Sequence, residues 1–191
     1  MSTVYTVNGK VLKNAANDKW LTKKEAPQPT FDEVTIGTQT WTAFNLAIDD
    51  GGTGIYHEDN VTANGVNMGT QYYYTAEAAI RIANSISGWH LPTREEIQTL
   101  VNYATAIKLK STTGWNSGKN GTDNFNWGGY PVGNYSGSQL QYIGDSVGYY
   151  TSSYNSSNSS YYYYFLYSET QWSGESSGSS DFQSVRLIKD T

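Results

Sequence analysis

Between Phe31 and Leu46, in "FDEVTIGTQTWTAFNL", the apolar positions Val34 and Ile36 alternate with polar ones. A turn at Gly37 follows, and then Trp41, Phe44 and Leu46. Period-two alternation on both sides of a glycine predicts a strand, a turn and a second strand entering the core. Upstream, "VYTVNGKVLK" places Asn8-Gly9 between two short β-prone runs, the strongest short-range hairpin signal. The charged, proline-punctuated "KKEAPQPTF" then reads as a linker, with a boundary near Thr30. The pattern thus divides the chain into an N-terminal extension, 1–30, and a main domain, 31–191.

The polar, Gly-rich "AIDDGGTGIYHEDNVTANGVNMG" reads as a loop. Two helices follow it. Thr75 can cap "AEAAIRIAN", with Glu77 in the first turn and Ala79, Ile80 and Ala83 on one face. In "LPTREEIQTLVNYA", Thr93 and Glu96 have capping-box spacing, and Ile97, Leu100, Val101 and Ala104 form an amphipathic stripe. Beyond Lys110 the helical period ends, and Gly, Asn and Ser alternate with aromatic residues in a long irregular stretch. The last predicted strands are "VGYYTSS", "SSYYYYFLYS" and "SVRLIKD". Strand, two helices, long loops and strands again make an α+β domain with small antiparallel sheets.

Composition narrows what such a domain does. Only 15% of the 191 residues are charged, but the 17 Tyr and 6 Trp supply buriable surface that a disordered chain lacks. The net charge of −5 and the scattered lysines argue against nucleic acid as a partner. No apolar run approaches a membrane span, so membrane insertion is not expected. "MSTVYTVNGKV" carries no basic n-region or apolar h-region, so no signal peptide is read in it. With no cysteine, thiol nucleophiles, zinc–thiolate sites and disulfides are excluded. The two histidines, His57 and His90, leave little for a Ser–His–Asp triad. His57 lies in "YHEDN", read as a solvated loop, and its neighbours Glu58 and Asp59 are too close in sequence to converge readily on one ion. "GGTG" and "WGGYPVG" lack the following lysine of a phosphate loop and read as turns.

Six blocks carry a resemblance: "IGTQTWTAFNL" (36–46), "GWHLPTREEIQTL" (88–100), "LKSTTGWN" (109–116), "GTDNFNWGGYPVG" (121–133), "GYYTSS" (148–153) and "SVRLIKD" (184–190). In this order they resemble the Fibrobacter succinogenes major paralogous domain, a family of the C-type-lectin-like fold, over about residues 31–190. The resemblance implies that Trp41, Trp89, Trp115 and Trp127 pack in the core and that His90 is a structural residue packed on Trp89 with a satisfied ring nitrogen. One departure stands out. The family's terminal strand usually reads Gly-Phe-Ser-Val-Arg, and here it reads Phe182-Gln183-Ser184-Val185-Arg186. Formylglycine-generating enzymes share the fold but hold copper with cysteines, which this chain lacks. The Glu-Pro-Asn, Gln-Pro-Asp and Trp-Asn-Asp signatures of calcium-dependent sugar binding are absent too. No cofactor, metal or enzymatic activity is expected.

The same fold hosts the variable proteins of diversity-generating retroelements, whose C-terminal strands display residues recoded from AAY codons, giving Tyr, Ser, Asn, Asp and Gly. The run from Gly148 to Ser180 is built largely of such residues and precedes a fixed terminal strand. Tyrosine offers rigid amphipathic contact area, and Ser, Gly and Asn offer adaptable hydrogen bonds, as in antibody loops. Trp172, set among polar residues in "SETQWSGESSG", reads as exposed. The expected contacts are therefore Tyr154, Asn155, Asn158, Tyr161, Tyr163, Tyr167, Glu169, Gln171, Trp172 and Glu175. Tyr161, Tyr163, Phe165 and Tyr167 share one face of a strand and Tyr162, Tyr164 and Leu166 the other, with the outward face undetermined by the sequence. The implied function is non-enzymatic recognition of a bacterial surface protein or glycan by a phage or mobile-element variable protein, located on a virion or cell surface. Residues 1–30 would serve virion attachment or homo-oligomer assembly. The alternative is a secreted or cell-surface structural or adhesion module of a gut or rumen bacterium, without diversification.

Overall fold

A computed structural model describes residues 28–167 and 181–191 in full, and three further strands, at 4–7, 10–14 and 172–176, by their backbone pairing. The chain is α+β, with small antiparallel sheets around three helices. β1 (Val4–Val7) and β2 (Lys10–Asn14) pair antiparallel as the Asn8-Gly9 signal predicts, with a register shift between Tyr5 and Thr6. The turn itself and the linker as far as residue 27 lie outside the described residues.

β3 (Glu33–Ile36) and β4 (Gln39–Thr42) form the expected hairpin, with Gly37 in the left-handed region at φ 63. Ile36 and Trp41 are buried. Phe44 is not: it stands 58% exposed, because the chain leaves β4 before reaching it and the period-two pattern no longer applies. The stretch read as one Gly-rich loop contains β5 (Ile55–Glu58), β6 (Thr62–Ala63) and β7 (Val66–Asn67). β8 (Gln71–Tyr74) pairs with β5, and β6 pairs with β7, so His57 lies on a strand rather than in a loop. These ribbons are two to four residues long, too short to show a period.

Both long helices begin where their caps predict. The Thr75 side chain accepts the Ala78 N–H at the start of α1 (Ala76–Ala83), which buries Ala76, Ala78, Ala79, Ile82 and Ala83, with Ile80 half-buried. After β9 (Trp89–His90), Thr93 and Glu96 form a reciprocal capping box on α2 (Arg94–Tyr103). The Thr93 hydroxyl accepts the Glu96 N–H at 3.2 Å, and a Glu96 carboxylate oxygen accepts the Thr93 N–H at 2.7 Å. A single turn of helix, α3 (Ala106–Leu109), follows and is additional to the two expected. Four residues give too short a window for periodicity to register. Two small strands, β10 (Asn134–Ser136) and β11 (Gln139–Gln141), lie within the long stretch read as irregular.

β12 (Ser146–Asn155), β13 (Ser160–Tyr167) and β14 (Trp172–Ser176) form a three-stranded sheet in that order. The closing element β15 (Ile188–Lys189) lies between β4 and β9 in a four-stranded sheet ordered β3-β4-β15-β9. The main core packs α2 and α3 against Trp41, Trp115, Trp127, Val147, Tyr149, Tyr164 and Leu166. A second cluster packs α1 against Leu46, Tyr74, Leu91, Val185 and Leu187. Trp89 is half-buried beneath Phe31, whose ring meets it edge-on at 5.4 Å.

Where the termini of the described domain meet, His90 bridges two carboxylates: Nδ1 lies 2.6 Å from Asp190 Oδ1 and Nε2 lies 2.9 Å from Glu96 Oε1. Partial burial disfavours the charged ring, but the hydrogen bonds to Glu96 and Asp190 outweigh it and raise the imidazole above its ordinary value of 6.5. The folded state therefore holds the proton more tightly than the unfolded state. The resulting stabilisation is complete below about pH 6.5 and fades as pH rises through the raised value. In urea unfolding from about pH 5.5 to 9, the stability difference between wild type and His90→Gln should shrink as pH rises. A difference that stays constant across that range would contradict the ion-pair reading.

Candidate functional site

The register of the β12–β13 pair decides which way the tyrosines point. Val147 is opposite Leu166 and Tyr149 opposite Tyr164. All four are buried in the main core. Ser146, Gly148 and Tyr150 are opposite Tyr167, Phe165 and Tyr163, and they occupy the other face. The outer face of β13 is thus the odd-numbered one, a ladder of Tyr161, Tyr163, Phe165 and Tyr167. Ring centroids are 4.7 Å apart between Tyr163 and Phe165, edge-on, and 5.3 Å apart between Phe165 and Tyr167. Tyr150 adds a ring 6.0 Å from Tyr163. Its hydroxyl donates to the Asp181 carbonyl at 2.7 Å.

The ladder is shielded unevenly. Tyr163 and Phe165, in its middle, are each 8% exposed, so Tyr163 offers little of the contact area expected of it. Its neighbours on both sides are themselves aromatic and cover it. Tyr161 and Tyr167, at the two ends, are half-buried. The register shifts between Tyr150 and Tyr154, and beyond that irregularity Tyr154 is 54% exposed with its ring 5.1 Å from Tyr161. Asn155 and Asn158 build the tip: the Asn155 side chain accepts the Ser157 N–H at 3.0 Å, and the Asn158 side chain accepts the Ser160 hydroxyl at 2.6 Å. Asn158 is exposed and Asn155 half-buried.

Of the remaining expected contacts, Glu169 and Gln171 lie outside the described residues. Trp172 and Glu175 fall on β14, a strand and not the polar turn predicted for them. Its backbone register sets Trp172 opposite Leu166 and Glu175 opposite Tyr163, and their side chains lie outside the described residues.

One wall of this face comes from residues that sequence reasoning missed. Tyr135 of β10 exchanges backbone hydrogen bonds with Phe182, at 3.0 and 2.9 Å, which brings the β10–β11 hairpin beside the end of β13. Ser136 donates its hydroxyl to Asp181 at 2.6 Å. Residues 45 apart in sequence are joined here, and no local pattern connects them. At the altered terminal block, the Phe182 ring meets Tyr135 edge-on at 5.5 Å, while the Gln183 side chain is wholly buried. Neither Gln183 amide atom has a hydrogen-bond partner. It occupies the space that the missing side chain of Gly148 leaves: a Cβ on Gly148 would stand 2.0 Å from Gln183 Oε1 and 2.8 Å from Phe165 Cε1.

Among the described residues no group of three or more His, Cys, Asp or Glu side chains is gathered to hold a metal ion, and no helix is long and apolar enough to cross a membrane. His90 has both ring nitrogens engaged by carboxylates, and exposed His57 stacks on Tyr72 at 5.3 Å. Comparison of the chain with protein-family models, curated proteins and solved structures finds no match in any of the three.

The contact between Gly148 and Gln183 makes a paired expectation. Gly148→Ala should cost about 2 kcal/mol in urea unfolding, as overpacking does. In a Gln183→Ala background the same change should cost about 1 kcal/mol less, because the closer of the two clashes is gone and only that with Phe165 stays. Equal costs in the two backgrounds would show that Gln183 is not what Gly148 accommodates.

Proposed function

We propose that this chain is a non-enzymatic ligand-binding protein whose outer face on β12–β14 recognises a bacterial surface protein or glycan. In this reading it has a C-type-lectin-like fold and is a variable protein of a diversity-generating retroelement, carried by a phage or mobile element and displayed on a virion or cell surface. Residues 31–191 form the recognition domain, and 1–30 serve attachment or assembly.

The observation that carries the fold part of this reading is the meeting of the sequence blocks on one side chain. Arg186, in the last block, donates to the Thr42 carbonyl and the Asn45 side chain of the first and to the Gly128 carbonyl of the fourth. Its guanidinium also lies over Trp127 of the fourth block and Tyr149 of the fifth, 4.7 and 5.8 Å from the ring centroids. Blocks that look unrelated along the chain are therefore parts of one scaffold. The binding part is supported by the separation of roles within β13. Tyr164 and Leu166 serve the core, and the odd-numbered aromatics form a separate layer that ends in exposed Tyr154. These outer aromatics lie outside the main core, Tyr163 and Phe165 in a small buried cluster with Tyr150 and Ala76, and Tyr154 open to solvent. The non-enzymatic part is supported by His90, whose two ring nitrogens both meet carboxylates and so are not free to serve a nucleophile.

The reading is tested with a panel of bacterial surfaces and glycans probed by wild-type protein and by Tyr154→Ala and Tyr161→Ala. Each change should weaken binding at least about tenfold, as loss of an interface aromatic does. The stability of Tyr154→Ala should stay within about 1 kcal/mol of wild type. Full retention of binding by both variants would remove this face from the interface. A wild-type protein that binds nothing on the panel and turns over a substrate instead would overturn the reading altogether.

A further inference from the structure

At the Tyr167 end of the ladder is a hollow of about 350 Å³ lined by Tyr163, Phe165, Tyr167, Asn134, Asp181 and the rim residue Tyr142, with Ser136, Gln141 and Ser146 between them. Its size suits a single side chain or a small molecule. One wall is aromatic and the other is polar, and the polar wall carries the Asp181 carboxylate.

Three features mark it as a built site. Asn134 lines the hollow and is buried, and its side-chain oxygen has no hydrogen-bond partner, a state that costs free energy. Among the described residues Asp181 is the one charged residue lining the hollow; one of its carboxylate oxygens accepts the Ser136 hydroxyl, and no cation pairs with it. Tyr142, on the rim, is 60% exposed and sits in the left-handed region at φ 58, an unfavourable state for a bulky side chain. Its carbonyl accepts the N–H groups of Asp145 and Ser146, at 3.0 and 3.1 Å, which fixes the turn that presents the ring.

An occupant of this hollow has to donate hydrogen bonds, compensate a carboxylate and lie against π faces. A neutral ring bearing hydroxyls meets the first and third needs. A cation meets all three, since aromatic faces attract positive charge and the Asp181 carboxylate forms charge-assisted hydrogen bonds with it. We propose that this hollow binds a guanidinium or ammonium group, the end of a partner protein's arginine or lysine side chain or of a free amine. The proposal deepens the binding-face reading, on which it rests, by naming the chemistry recognised at one end of that face.

The test uses the whole chain and NMR titrations with N-acetyl-arginine methylamide, N-acetyl-lysine methylamide, putrescine, N-acetyl-citrulline methylamide and a methyl pyranoside. At least one cationic probe should saturate in the millimolar range, shifting the resonances of Asn134, Tyr142 and Asp181, while citrulline, the uncharged isostere of arginine, should not. Stronger binding by the amino-acid amides than by putrescine identifies a protein side chain as the source, and the reverse order a free amine. Asp181→Asn, which keeps size and shape, should weaken the cationic probe about tenfold or more. Tyr167→Leu provides a second variant acting on the aromatic wall, expected to weaken it several-fold. Binding of citrulline as tight as that of arginine, saturation by the pyranoside alone, or no saturation by any cation overturns the proposal. None of these results bears on Tyr154 and Tyr161 at the opposite end, so the broader face stands or falls separately on the surface panel.

Discussion

A buried arginine holds the scaffold together. Arg186 is buried, and among the described residues no carboxylate hydrogen-bonds it; its charge is instead spread over the carbonyls of Thr42 and Gly128, the Asn45 amide oxygen at 2.7 Å and the faces of Trp127 and Tyr149. Burial lowers the basicity of the guanidinium below its ordinary value. An arginine still keeps its proton in such a place, whereas a buried lysine readily loses one. The planar fork matters as much as the charge, because three acceptors on two segments, Thr42 and Asn45 on one and Gly128 on the other, have to be reached at once. Their positions in the chain, near 42, 45 and 128, explain why so many loops can be long and irregular and still be fixed.

From that anchor the rest of the architecture follows. The terminal segment runs through the middle of the molecule: Leu46 N–H donates to the Val185 carbonyl, Thr42 N–H to that of Leu187, and Tyr74 N–H to that of Gln183. It bridges to Tyr149 at Ser184 and then joins the sheet between β4 and β9. Tyr149 is thereby held inward, and strand geometry turns Tyr150 outward. The same alternation carried across the β12–β13 ladder assigns every tyrosine of β13 to one layer or the other. The outer aromatic layer is thus a consequence of where Arg186 holds Tyr149, two strands and several residues away.

Much of this fold was legible in the sequence, and what was not has a physical reason. Caps are local, so Thr75 and the Thr93–Glu96 box were read correctly from spacing alone. Strands long enough to alternate were found, and β5, β6, β7 and the single turn of α3 were not, being too short to show a period. Phe44 was misplaced because its strand ends two residues before it. The outer face was legible as a composition but not as a geometry. Nothing in "YYYYFLY" distinguishes odd from even, since both sets are aromatic, and only the cross-strand partners Gly148 and Val147 resolve them. Tyr163 is buried for that reason: its cover is other aromatic rings, whose arrangement appears only once the register is set. The polar wall built by Asn134, Ser136 and Asp181 depends on a pairing between Tyr135 and Phe182 that no stretch of sequence encodes by itself.

The most direct test of this account is the unfolding free energy of Arg186→Lys measured in urea at neutral pH. Lysine in this buried place gives up its proton readily, and its compact ammonium cannot span the separated acceptors, so at least about 3 kcal/mol should be lost as buried carbonyls go unpaired. Backbone amide exchange at Tyr150 and Leu187, whose N–H groups are tied to this segment, should accelerate with it. A variant within about 1 kcal/mol of wild type, with exchange at those amides unchanged, would contradict the claim that this guanidinium organises the fold.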